Sequence, residues 1–157
     1  MWGANAVNGV INIISKYSHG EANGMLAASI GTHGQRQLYA RAAGNIDADT
    51  SWKLSAQGRH AGPAKKSADG SYSADDLTAS TVDFRFDRTL TAGSALTVWA
   101  NVANSTQGDL YPFTINPLDP MVLDPIAVDE KTSTQMLGAR YRWLTEQGFE
   151  SSIQSSL

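Results

Sequence analysis

From about Gly24 to the last residue, apolar and polar side chains alternate with a period of two, the signature of strands with differently solvated faces. The clearest case is Val82, Phe84 and Phe86 interleaved with Asp83, Arg85 and Asp87, one face apolar and the other charged. Trp52, Leu54, Ala56 and Gly58 likewise oppose Lys53, Ser55, Gln57 and Arg59, and Leu96, Val98, Ala100 and Val102 oppose Thr97, Trp99, Asn101 and Ala103. Towards the end, Leu137, Ala139, Tyr141 and Trp143 oppose Met136, Gly138, Arg140 and Arg142, and Phe149, Ser151, Ile153 and Leu157 oppose Glu150, Ser152, Gln154 and Ser156. With two weaker stretches around 24–32 and 35–45, the pattern predicts seven strands. Most reach the roughly 9–11 residues that a tilted strand needs to cross a bilayer, rather than the roughly 5–6 of an average soluble strand.

The connections predict an orientation. Asp47 and Asp49, Gly93, and Gly148 mark short turns between strands two and three, four and five, and six and seven. On the other side the connections are long, at 61–75 and 106–131, apart from a tight first one near His33 and Gly34. Short turns at one end and long loops at the other is the arrangement of an outer-membrane barrel. Trp52, Phe86, Trp143 and Phe149 all fall at the short-turn end on the apolar face, as interfacial aromatics would. The same alternation also suits a half-buried antiparallel sheet in a soluble sandwich, with these rings as ordinary strand-end core residues.

Composition narrows the partners. The 157 residues carry 12 basic and 15 acidic side chains, a net charge of −3, with no basic block to track nucleic-acid phosphates. No apolar run approaches the roughly 20 residues of a membrane-crossing helix, but a barrel needs only alternate residues to face lipid. Without cysteine, disulfides and thiolate metal sites are excluded. The amino terminus lacks the features of a secretory signal, so Met1 is expected to be an internal or truncated start.

The opening MWGANAVNGVINIISK combines an Asn8-Gly9 turn signal with the strand-forming run Val10, Ile11, Ile13 and Ile14, interrupted by Asn12. Trp2, Gly3, Ala4, Asn5, Ala6, Asn8, Gly9, Val10, Ile11, Asn12 and Ile13 match in register the close of the plug domain in TonB-dependent outer-membrane receptors, and the segment resembles that family. The resemblance implies a structural plug motif at Gly3, Asn5, Asn8, Gly9, Val10, Ile11, Asn12 and Ile13, with 1–18 ending the plug and 19–157 starting an antiparallel transmembrane β-barrel. It further implies a 22-stranded receptor in the outer membrane of a Gram-negative bacterium. Such a receptor takes up a scarce ligand, such as a ferric siderophore or cobalamin, with energy from the TonB complex. The chain is then expected to be a fragment, its signal, TonB box and remaining strands lying outside it.

Candidate chemistry is sparse. The stretch 106–131 holds Tyr111 and Phe113, four prolines and several carboxylates, and reads as an extracellular ligand-gathering loop on a rigid scaffold. Its acids lack the alternating ligands and central glycine of an EF-hand, and His19, His33 and His60 are dispersed, so no metal site or cofactor is expected. There is no Gly-x-Ser-x-Gly elbow and no phosphate-binding glycine loop, and the expectation is a protein that is not an enzyme. The charges Lys53, Arg59, Asp83, Arg85, Asp87, Arg140, Arg142 and Glu150 share the polar side, where they line a solute path, meet a plug or pair with one another. Two rivals remain: a small structural or adhesive outer-membrane barrel, disfavoured by the odd strand count, and a secreted β-sandwich binding module.

Overall fold

A computed structural model describes residues 24–65, 73–114, 123–145 and 147–157. They form an all-β structure of seven strands: β1 (Gly24–Ile30), β2 (Arg36–Asn45), β3 (Thr50–Ala61), β4 (Leu77–Thr91), β5 (Ser94–Thr114), β6 (Leu123–Leu144) and β7 (Glu150–Ser156). Every strand pairs antiparallel with its sequence neighbours, giving one open sheet in the order β1 to β7. The expected segment 1–18, with the plug motif from Gly3 to Ile13, lies outside the described residues.

The local chemistry of the turns explains where the chain reverses. After β1, His33 (φ 58°) and Gly34 (φ 67°) occupy the left-handed region, and the Gly31 amide donates to the Gln35 carbonyl at 2.9 Å. Between β2 and β3 the Asp49 amide donates to Asp47 Oδ1 at 2.8 Å, an Asx turn that closes on the Ile46 amide and Thr50 carbonyl. The Asp47 carboxyl is held below its ordinary range, first by that Asp49 amide. Gly148 (φ 82°) serves the β6–β7 turn, where the Thr145 amide donates to the Phe149 carbonyl at 2.8 Å.

Two expected boundaries need correction. The segment 106–131 is not one long loop: β5 continues to Thr114 and β6 begins at Leu123, so most of it is a two-stranded ribbon. Prolines and carboxylates signal a loop in sequence, yet Pro112 and Pro125 face each other beyond the last β4 partner, Gln107. A ribbon without outer neighbours tolerates residues that lack an amide hydrogen. The connection after β3 does match expectation, running from Gly62 to Asp76, with the Ala64 amide donating to Asp75 Oδ1 at 2.8 Å.

The burial of the sheet runs opposite to that of a soluble protein. Most of the large exposed hydrophobics lie on one face, among them Leu26 (74%), Leu137 (52%) and Ile153 (67%). The least accessible strand side chains, Ala43, Ser51, Asp87 and Thr97, lie on the other face, with Thr50 buried at the β2–β3 turn. No second layer covers the apolar face among the described residues.

Candidate functional site

Strand register converts the alternation into two surfaces. Reading across β2 to β6, one hydrogen-bonded row contains Ala42, Leu54, Phe84, Ala100 and Leu137, and the next same-face row Gly44, Trp52, Phe86, Val98 and Ala139. A third contains Ala40, Ala56, Val82 and Val102 before reaching Gln135. Together these make an apolar surface from β2 to β5 that reaches β6 at Leu137 and Ala139.

The four aromatics expected at an interface group in two places. Trp52 and Phe86 are direct partners across β3 and β4. Trp143 lies near the turn end of β6, with its ring stacked on Tyr141 at a centroid separation of 5.5 Å. Phe149 stands just before β7 and is well exposed. Trp143 is four residues further along its strand than Ala139, so the two groups do not share a hydrogen-bonded row. Trp52 and Trp143 do share a distance from their turns, Trp52 two residues after Thr50 and Trp143 two residues before Thr145, whereas Phe86 is five residues before the end of β4.

The offset has a geometric cause. From the row of Trp52, Phe86, Val98 and Ala139, the turn-side ladder extends two residues to Thr50 in β3, four to Ser94 in β5 and five to Leu144 in β6. The line of turns therefore advances about one residue per strand across the sheet. With a rise of about 3.3 Å and a spacing of about 4.8 Å, that stagger corresponds to strands inclined about 35° from the perpendicular to the line of turns. Strand tilt in β-barrels falls in this range.

The opposite face is polar and cross-linked. Arg85 Nε donates to Asp87 Oδ2 at 2.7 Å and Arg85 Nη2 to Asp87 Oδ1 at 2.9 Å, while Thr97 Oγ1 donates to Asp87 Oδ1 at 2.8 Å. The carboxylate thus has partners on its own strand and on β5, which makes its low exposure tolerable. Asn101 Nδ2 donates to Asp83 Oδ1 at 2.6 Å, and Arg142 and Glu150 lie 3.6 Å apart across β6 and β7. Trp99 sits among these groups with its indole against Gly138 on β6; a Cβ at Gly138 would collide with the ring. The alternation placed Trp99 and Gly138 on the polar side, but only the register reveals them as partners.

The ribbon beyond Gln107 and Glu130 reverses the pattern. Asp109 pairs with Val128, Tyr111 with Ile126 and Phe113 with Asp124, all at register positions continuous with the polar face. Ile126 and Val128 are exposed there. Tyr111 and Phe113 therefore occupy strand positions rather than an irregular loop, and Ile126 and Val128 are neighbours that the periodicity before Met136 did not bring out. His60 belongs to β3, with Nδ1 3.0 Å from Thr78 Oγ1, and His33 belongs to the first turn. No protein-family model, curated protein or solved structure matches this chain.

Proposed function

We propose that this chain is part of the wall of a TonB-dependent outer-membrane receptor, which takes up a scarce ligand such as a ferric siderophore by binding and conformational change, without covalent chemistry. The observation that carries the reading is the inverted distribution of side chains: an uncovered apolar face across all seven strands, backed by a crowded polar face holding the Arg85–Asp87–Thr97 cluster. Such a sheet is costly in water and favourable where lipid meets the apolar side and a hydrated lumen the polar side. The stagger of the turns and the equal setback of Trp52 and Trp143 from them support the same assignment. A β-sandwich module would need a second layer over Leu54, Phe84 and Leu137, which are exposed.

In this reading residues 1–18 close a plug, the TonB complex acts through a more amino-terminal segment, and the β5–β6 ribbon reaches outward to meet ligand. Ile126 and Val128, exposed on that ribbon, would offer the ligand an apolar surface above the lumen. A growth assay under iron limitation tests the uptake role. A strain with the encoding gene disrupted should lose growth on at least one ferric siderophore supplied as sole iron source, and regain it on complementation. Unchanged growth across siderophores and cobalamin would remove the uptake assignment.

A further inference from the structure

The apolar face ends on the long-connection side in a row that is polar and cationic. Arg36, His60, Thr78, Thr106 and Lys131 are successive partners from β2 to β6 on the same side of the sheet as Trp52 and Phe84. The row contains no carboxylate, and Arg36 and His60 are immediate cross-strand neighbours, so their Cα atoms lie roughly 5 Å apart. Thr78 holds the His60 ring from the next strand at 3.0 Å. Arg36, His60 and Thr78 are all exposed, and neither Arg36 nor Lys131 forms an ion pair among the described residues. The residues two places beyond Arg36 and His60, Gly34 in the first turn and Gly62 after β3, bring no negative charge. The nearest same-face carboxylates are Asp76, two residues past Thr78, and Asp129, two past Lys131.

Position gives the cluster its meaning. His60 is eight residues from Trp52 along β3, about 26 Å at the usual rise per residue. At an inclination of about 35° that is roughly 22 Å along the membrane normal, close to the roughly 25 Å apolar band of a membrane barrel. Arg36 is eight residues from Gly44, the partner of Trp52, and stands level with His60 in the row. Lys131 lies further out, because the stagger raises β6 relative to β2. The Arg36–His60–Thr78 cluster therefore falls at the outer headgroup boundary, with guanidinium, imidazole and hydroxyl donors pointing to the lipid side.

We infer that Arg36, His60 and Thr78 form a binding site for the phosphate headgroup of an anionic lipid at the outer rim of the apolar face, an inference that rests on the lipid-facing reading above. Arginine is suited to this because its donor fork matches phosphate oxygens and its charge is permanent. One cation near a membrane surface is worth roughly a five-fold preference for anionic lipid.

The absence of native cysteine permits a direct test with the full chain in lipid vesicles. A fluorophore attached at Leu38→Cys, one same-face row inside Arg36, reports lipid at the site, and a second at Leu54→Cys reports lipid at the middle of the band. Brominated phosphatidic acid should quench the Leu38 probe roughly five-fold more effectively than brominated phosphatidylcholine, with no such preference at Leu54. Arg36→Gln combined with His60→Gln should abolish the preference, while quenching by phosphatidylcholine at both probes stays unchanged and certifies that the sheet is still in place. Equal quenching of the Leu38 probe by both lipids would overturn the headgroup site and leave the lipid-facing reading standing. No quenching at either probe by either lipid would remove that reading, and the site with it. If inorganic phosphate in the buffer erased the preference, the cluster would be a soluble-anion site and the lipid assignment would fall.

Discussion

At the scale of single residues, Gly138 is where the sheet has least freedom. Any side chain there meets the Trp99 indole, so Gly138→Ala is expected to lower stability by about 1–3 kcal/mol through overpacking. Trp99→Ala in the same background should return part of that loss, and a denaturant-unfolding double-mutant cycle in vesicles measures the coupling. Asp87 is the second such point. Its carboxylate balances Arg85 and accepts from Thr97, so Asp87→Ala should cost about 3 kcal/mol by removing the counter-charge of a poorly exposed guanidinium, against about 1 kcal/mol for Thr97→Val. Neither relation could be read from the chain itself. Periodicity assigns Trp99, Gly138, Asp87 and Thr97 to the polar face, but partners across strands depend on register, which the turns set and side-chain identity alone does not reveal.

At the scale of the strands, the two faces predict opposite tolerance. Phe84→Lys, at the centre of the apolar surface, should destabilise the inserted sheet by about 2–4 kcal/mol, whereas Gln57→Lys on the polar face should cost under about 1 kcal/mol. Equal costs at the two positions would mean that the faces do not meet different solvents. The Gly62–Asp76 connection carries its own pH dependence. The Ser73 hydroxyl and then the Ala64 amide hold the Asp75 carboxyl below its ordinary 3.8. A depressed carboxyl contributes its anchoring above that value and loses it as the pH falls through the folded-state value. Protection of the Ala64 amide, relative to its intrinsic exchange rate, should therefore fall in strong acid, and Asp75→Ala should produce the same loss at neutral pH. Strand existence was legible because alternation survives from Leu54 to Ile153, and the short turns were legible from Asp47, Gly93 and Gly148. The lengths of β5 and β6 were not. Pro112, Pro125 and the surrounding acids oppose a central strand, and only their place in a ribbon with no outer neighbours among the described residues makes them acceptable.

At the scale of the whole molecule, the sheet among the described residues presents two unpaired edges, β1 and β7, and an uncovered greasy face. Both features favour association with other chains when lipid is absent. The chain should accordingly sediment as aggregate from detergent-free buffer and disperse when detergent micelles are supplied; a monodisperse monomer in plain buffer would contradict the lipid-facing reading. The open edges also mark what the sequence left unread: an odd number of strands is visible in the pattern and among the described residues, but what pairs with β1 and β7 is a question of closure that no local signal encodes.

The strict nearest-neighbour order from β1 to β7 has a kinetic consequence. Each new strand finds its partner in the one made just before it, so the entropy of loop closure is met in small instalments and no step waits on a distant segment. Assembly can then proceed as a zipper, hairpin after hairpin. A chain stopped after β5 should already hold the Trp52–Phe86 and Phe84–Ala100 pairings that the longer one keeps.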